Sequence, residues 1–369
     1  MGKSAGFEAM AMAARDAAGV LAPFKLARRN PSATDVVIKI LYCGICHSDL
    51  HQIRNGWGIT IFPVVPGHEI TGVVEQLGSS VSRFTLGDRV AVGCLVSSCH
   101  DCHSCNEGLE NYCPKLVWTY NSHLPDGSHT MGGFSTAIVV DESFVIKVPA
   151  KLPLDTAAPL LCAGITVYSP MKHFGMAEAG RSFGVVGLGG LGHMAVKFGK
   201  AFGMKVTVIS TSPKKEREAR ELLGVDDFLV STDKEQMAAA AMSIDYIIDT
   251  VSAKHALEPL LALLKVNGKM VLVGAPDAPL QIAPITLLAG RRMIAGSLIG
   301  GIKETQEMMD FCGEHNVTAI VEQITMGSVN EAMERLAKSD VKYRFVIDMR
   351  KSESEMQRPH HCDQEFVSA

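Results

Sequence analysis

No uninterrupted apolar stretch of this 369-residue chain is long enough to span a bilayer, although alanine-rich pieces such as Met237–Met242 raise the local hydropathy. A membrane-spanning protein is therefore not expected. The N-terminal MGKSAGFEAMAMAARD lacks the basic start and unbroken apolar run of a secretion signal, and Glu8 places a negative charge early in it. A basic stripe is absent too, and the formal net charge of -4 speaks against a nucleic-acid reader that works on phosphate. The chain reads as soluble and cytoplasmic. Aromatics are scarce at 6%, with only two tryptophans, so any aromatic binding surface must draw on few residues. The remaining composition, 47% hydrophobic and 20% charged, is that of a globular protein long enough for two separate cores. The end differs: RKSESEMQRPHHCDQEFVSA loses hydrophobic period after the strand-like Tyr343–Met349, and residues 350–369 are expected to be loose. His360, His361 and Cys362 within it read as solvated rather than metal-binding.

Cysteine, by contrast, is plentiful. Cys99, Cys102, Cys105 and Cys113 form Cys-x2-Cys-x2-Cys-x7-Cys, a spacing that suits four thiolates around one Zn²⁺ in a single loop. Disulfides would require an oxidising compartment, for which the N-terminus gives no signal. A more dispersed set, Cys46, His68, Glu69 and Cys162, flanks the run. A metal that does chemistry needs protein ligands plus an exchangeable position, and Cys46, His68 and Cys162 provide three ligands. Glu69 is either a fourth ligand or a group behind the ligands. One zinc site is thus expected to be structural and the other catalytic.

From Asp35 to about Pro149, short β-branched runs (VVIKILYC, GVVEQL, DRVAVGC, FSTAIVV, FVIKVP) separated by Gly, Pro and Ser predict an antiparallel β-rich domain. Around Leu160 the rhythm changes to strand then helix: SFGVVG with Leu191–Phe202, KVTVIS with Lys214–Leu223, DYIIDTV with Lys254–Leu264. That alternation predicts an α/β, doubly wound parallel sheet, continued by KMVLVG and closed by MIAGSLIG. The helix-like Lys303–His315 follows, and FVIDM is expected to return to the first domain. The expected division is 1–161, 162–300 and a returning 301–349.

Gly187-Leu188-Gly189-Gly190-Leu191-Gly192 follows the strand Phe183–Val186 and opens a helix, the context that turns a weak glycine pattern into a dinucleotide loop. Gly187 allows the tight turn, Gly189 clears the pyrophosphate, and Gly192 permits close packing. The helix start then meets the phosphates. At the end of the next strand, where an NAD-selective site places a carboxylate, stand Ser210, Thr211, Ser212, Pro213, Lys214 and Lys215, with no acid before Glu216. Hydroxyls and ammonium groups there favour NADP(H). Ser212 is also placed to cap a helix beginning at Pro213.

The pattern G-H-E-x2-G-x5-G-x2-V, Gly67 to Val81, resembles the zinc-containing alcohol dehydrogenases of the medium-chain dehydrogenase/reductase superfamily. Together with CGICHSDLHQ, VPGHEI, the four-cysteine loop, LENYCPK and GLGGLGH, it is similar to the plant cinnamyl-alcohol dehydrogenase family, including its mannitol, sinapyl and geraniol dehydrogenase-like branches. The resemblance covers roughly Ala11 to Met349. It implies a GroES-like catalytic domain, a Rossmann domain and a homodimer joined through the Rossmann sheets. It also implies two Zn²⁺ per subunit, catalytic on Cys46, His68, Glu69 and Cys162 and structural on Cys99, Cys102, Cys105 and Cys113. Cys43 and Cys94 match no ligand position, while His47 and Asp49 orient the metal or contact cofactor. Ser48 would contact the substrate oxygen and pass its proton through the nicotinamide ribose to His51, the serine keeping the hydroxyl of the commoner threonine.

The same resemblance adds Thr250, Gly274, Ser297, Leu298 and Ile299 to the cofactor site, and places Trp57, Trp118 and Leu298 near the substrate. Leu298 stands where lignin-forming members favour a bulkier aromatic, and Asn55–Gly58 looks more like the mannitol, sinapyl or specialised-metabolism branches. The expected reaction is NADPH-dependent reduction of a conjugated phenylpropanoid or terpenoid aldehyde. The alternative is reduction of an alkaloid iminium or conjugated alkene, which would not need the intact ligand set. A non-catalytic NADPH-binding scaffold is disfavoured by Cys46, His68, Cys162, Ser48 and His51 together.

Overall fold

The computed structural model describes residues 6–124, 127–276 and 278–356. Two sheets carry the architecture. The first has seven strands in the order Val321–Ile324, Arg344–Asp348, Asp35–Ile45, Ile70–Leu77, Arg89–Val92, Ile146–Lys147, with Ala137–Asp141 also paired to Asp35–Ile45. All its pairings are antiparallel except Val321–Ile324 with Arg344–Asp348. Arg344–Asp348 lies against Asp35–Ile45 with Phe345 opposite Ile45, the return of the chain read from FVIDM.

The second sheet is parallel throughout, in the order Asp227–Val230, Lys205–Ser210, Ser182–Val186, Ile244–Asp249, Leu264–Leu272, Met293–Gly296. Its near-continuous apolar strands suit burial on both faces by helices. Phe183 and Phe198, both fully buried, join the sheet to the helix Gly190–Ala201. Gly199 allows the approach, since a Cβ there would sit 2.8 Å from the Phe183 ring. Each buried phenylalanine contributes about 1.5–3 kcal/mol.

Three departures from the sequence reading have local causes. The segment expected to be helical from Lys254 is a loop until Glu258, because Pro259 fits only a helix's first turn; the helix is Glu258–Leu263, and a strand begins at Leu264. The helix expected from Lys214 begins as a 3₁₀ turn, Pro213–Lys215, becomes α over Glu216–Leu223 and stops at Gly224, whose φ of +66° favours glycine. The tail expected to be loose from residue 350 continues instead as a helix, Met349–Met356, held by buried Ser352, whose hydroxyl accepts from Met326 N and donates to Asp348 O. His360, His361 and Cys362 lie outside the described residues. An N-terminal hairpin, Phe7–Ala14 with Leu21–Arg28, also precedes the first sheet.

Candidate active site

Three separate stretches converge on one buried pocket. Cys46 follows the strand Asp35–Ile45 and stands at the N-terminus of the helix His47–Ile53, where the Asp49 carboxylate accepts from its backbone N–H at 2.8 Å. His68 and Glu69 precede the strand Ile70–Leu77. The turn before them depends on Gly67 (φ +104°), where a Cβ would strike Phe134 at 2.6 Å and Cys43 Sγ at 2.8 Å. Cys162 opens the helix Ala163–His173 on the way to the parallel sheet. One donor atom from each of Cys46, His68, Glu69 and Cys162 lies within 4.8 Å of the others, and all four residues are buried.

The protons in this pocket are unevenly shared. The hydrogen bond from Cys162 holds the Cys46 thiol well below its ordinary value against the cost of burial, and Arg344 and His68 add positive potential. Cys162 moves well above it, as donor to Cys46 at 3.8 Å and to Cys94, and by burial. Burial pulls His68 down, yet the Asp49 charge at 3.3 Å helps to hold it well above the usual range. Burial lifts Glu69 to about 7 despite the pull of Arg344. Both Glu69 carboxylate oxygens are buried without a hydrogen-bond partner. A divalent cation among two thiolates, an imidazole and this carboxylate would satisfy those orphaned oxygens and replace the shared protons, so the donor set fits zinc.

The four-cysteine loop forms the second cluster. Sγ distances are 3.5 Å for Cys99–Cys113 and Cys102–Cys105 and 3.9 Å for Cys99–Cys105, and the donor atoms of all four fall within 4.8 Å. Backbone N–H groups of Cys99 and Lys115 point at Cys113 Sγ. Among the described cysteines none forms a disulfide. A closed thiolate set leaves no position for substrate.

The dinucleotide reading meets a cleft of about 370 Å³ lined by Gly187, Leu188, Ser210, Thr211, Lys215, Ser231, Lys254 and His255 among others. Gly187 takes φ +85°, and a Cβ on Gly192 would sit 2.1 Å from Gly187 O, so the close packing is against the loop itself. Space beside Gly189 is open. Lys215 Nζ donates to Leu188 O at 2.7 Å, tying the second strand's end to the glycine loop. Ser212 makes no side-chain cap, and Lys214 is exposed outside the cleft lining. Thr250 donates to Val186 O at 2.7 Å, and Gly274 packs against Val251, where a Cβ would lie 2.3 Å from its carbonyl. Hydroxyls and an ammonium group in an open phosphate cradle fit NADP(H).

Ser48 Oγ lies 3.5 Å from Cys46 Sγ. His51, one turn on, stacks on Trp57 with ring centroids 5.0 Å apart. Trp118 sits on the short strand Val117–Trp118, and Leu298 follows the edge strand Met293–Gly296; all three proposed substrate residues are exposed. Asp49 faces Cys46 N, Gly67 N and His68, contacts suited to orienting the ligand residues. Cys94, whose thiol donates to Leu161 O at 3.9 Å, is a third thiol beside the pocket that sequence matching had set aside.

Sequence reasoning missed Arg344. Its Nη1 lies 3.2 Å from Glu69 Oε1, and a Cβ on Gly190 of the glycine loop would fall 2.6 Å from its Nε. The signal was an arginine inside the apolar run YRFVIDM, where an unpaired charge would not be buried. This side chain thus links Glu69 of the cation pocket to the glycine loop. The class so defined is a metal- and dinucleotide-dependent oxidoreductase.

The family profile described as alcohol dehydrogenase GroES-like domain matches residues 32–150, and that described as zinc-binding dehydrogenase matches 190–314. A probable mannitol dehydrogenase of Medicago sativa is 60% identical over 349 residues, covering 95% of this chain and 97% of the relative. The 8-hydroxygeraniol dehydrogenase of Catharanthus roseus is 60% identical over 342 residues, covering 93% and 95%. A solved cinnamyl alcohol dehydrogenase of Sorghum bicolor superposes with a TM-score of 0.92 at 55% identity, covering 96% of this chain and all of that one. The chain belongs to the zinc-containing alcohol dehydrogenases, within the plant cinnamyl-alcohol dehydrogenase family. Among the described residues no helix is long and apolar enough to cross a membrane.

Proposed function

We propose that this protein reduces a conjugated aldehyde to its primary alcohol with NADPH, using a zinc held by Cys46, His68 and Cys162. The observation that carries the reading is Arg344, which touches Glu69 of the cation pocket and lies against Gly190 of the dinucleotide loop. When bound, zinc would supply Lewis acidity at the substrate oxygen and NADPH the reducing equivalent. Glu69 serves as an alternative ligand partnered by Arg344, and Asp49 fixes the His68 ring. Ser48 donates the proton to the substrate oxygen. His51 shares a helix face with it at i, i+3 and exchanges that proton with solvent. Cys99, Cys102, Cys105 and Cys113 hold a structural zinc.

Ser210, Thr211 and Lys215 hold the 2′-phosphate. Trp57, Trp118 and Leu298 border the substrate. Cinnamyl alcohol and 8-hydroxygeraniol are both allylic primary alcohols, which supports a conjugated aldehyde as the oxidised partner. The chain divides at 161/162 and again at 300/301. The exposed Ile285, Leu288 and Met293 beside the unpaired edge strand support a homodimer through the parallel sheets. Unpaired thiols among the described cysteines suit a reducing, cytoplasmic setting.

The test is NADPH oxidation with cinnamaldehyde, geranial and an iminium substrate, together with mannitol and NADP⁺ in the reverse direction, in wild type and Cys46→Ala. The conjugated aldehydes should be turned over best, and the variant should lose nearly all turnover and one zinc. Undiminished turnover in Cys46→Ala would refute zinc catalysis, and mannitol as the best substrate would refute the substrate class.

A further inference from the structure

The residue pair Asn111 and Tyr112 ends the four-cysteine loop one position before Cys113, yet neither side chain serves the thiolate cluster. Asn111, 2% exposed, donates from Nδ2 to Leu298 O at 2.8 Å. Tyr112 Oη accepts from Leu298 N at 3.2 Å. Glu110 Oε2 accepts from Ile302 N at 3.0 Å, at the start of the helix Ile302–His315. Three consecutive loop residues therefore hold both backbone polar groups of Leu298 and the chain four residues later. Between these grips Ile299 adopts φ +43°, an uncommon conformation for a β-branched residue. A Cβ on Gly301 would lie 1.8 Å from Gly108 O, so loop and segment are in direct backbone contact.

The parallel sheet holds this segment only as far as Ser297, whose N–H donates to Leu272 O. Beyond that point the loop takes over the hydrogen bonding that a further sheet residue would have supplied. The cluster explains why the loop can do so. Four thiolates gathered on one zinc would fix Cys113, and with it the 3₁₀ turn Glu110–Tyr112.

We infer that the four-cysteine loop acts, through Asn111 and Tyr112, as a positioning device that presents Leu298 and its neighbours to the nicotinamide half of the cofactor. The inference rests on the proposed reading of Ser297–Ile299 as cofactor contacts. The loop then acts on the reaction without touching reactant: it sets affinity for the reacting half of NADPH and leaves the adenosine half alone. Asn111 and Tyr112 are positioning residues.

Tyr112→Phe tests this with little risk to folding, since the hydroxyl removed is on a half-exposed side chain; Asn111→Leu removes the second grip. NADPH and 2′,5′-ADP, which lacks the nicotinamide, are titrated into the zinc-loaded full chain, with zinc content measured alongside. Loss of one backbone grip should raise the Kd for NADPH about three- to tenfold. The Kd for 2′,5′-ADP and the zinc content should stay constant. A purely structural loop would move both ligands together or neither, and either result overturns the inference. Ser297→Trp, which places bulk on the segment itself, separates the segment's contact with cofactor from its positioning by the loop. If it too leaves the NADPH to 2′,5′-ADP ratio unchanged, the segment is not a cofactor contact and both readings fall. If it changes the ratio while Tyr112→Phe does not, only the positioning role falls.

Discussion

Arg344 Nη1 stands 3.2 Å from Glu69 Oε1 and the same distance from Ile45 O, with both side chains withdrawn from solvent. Its Nε is buried without a hydrogen-bond partner and faces the glycine loop at Gly190. A guanidinium buried between a carboxylate and the start of the glycine-loop helix balances the Glu69 charge on one side and packs against that loop on the other.

Removing that cation should therefore damage two properties at once. Arg344→Met removes the cation that favours ionised Glu69, whose carboxyl already sits at about 7, so the acid should take up a proton in the folded state and stability should fall. It also removes the side chain packed against Gly190, which should loosen the glycine loop and weaken dinucleotide binding. Urea denaturation and NADPH titration should both report the change. Adding Glu69→Gln should recover much of the stability and none of the cofactor affinity. If Arg344→Met unfolds at the wild-type urea concentration, the pair does not balance charge as described.

Cofactor choice should depend on the end of the strand Lys205–Ser210. Thr211 and Lys215 line the cleft, and Lys215 Nζ is already fixed at Leu188 O by a 2.7 Å hydrogen bond. Thr211→Asp with Lys215→Ala replaces an acceptor-compatible hydroxyl and an ammonium by a carboxylate and a methyl. Each charge-assisted contact contributes about 1.5–3 kcal/mol, so the ratio of kcat/KM for NADPH over NADH should fall at least roughly tenfold. An unchanged ratio would remove the 2′-phosphate from this corner of the cleft.

The parts of the fold legible in the sequence were those written in local signals. The strand–glycine–helix run at Phe183–Phe202 and the thiol spacing of Cys99–Cys113 are short-range patterns, and both appear as expected. Cys46, His68, Glu69 and Cys162 do come together, although their 116-residue spread carries no geometric rule by itself. Ligand chemistry singled them out, and the resemblance completed the set with Glu69. Partnerships made through space were silent. Arg344 finds Glu69 only after the last strand returns to the first sheet, and Asn111 reaches Leu298 across 187 positions. The hairpin strand Phe7–Ala14 was hidden because its Ala- and Met-rich sequence carries helix propensity, which pairing with Leu21–Arg28 overrides.

Acid sensitivity should trace in part to His193, on the helix that begins at the glycine loop. Its ring is fully buried and stacked on Tyr343, with centroids 4.7 Å apart. Nε2 accepts from Ile320 N, and Nδ1 faces Gly189 O at 3.3 Å, so the neutral ring uses one nitrogen in each role. Burial, helped by the charges of Arg344 and Lys197, pushes its pKa from 6.5 down to about 3. A histidine depressed in the folded state gives stability that is complete above its unfolded value. That stability is lost as pH falls from about 6.5 towards 3, because the unfolded chain takes up the proton first. Within the window the loss approaches about 1.4 kcal/mol per pH unit. His193→Gln keeps a donor and an acceptor but cannot titrate. Between pH 6 and pH 5 the wild type should lose urea stability faster than this variant, by about that amount. Parallel losses would mean that protonating His193 does not drive acid unfolding.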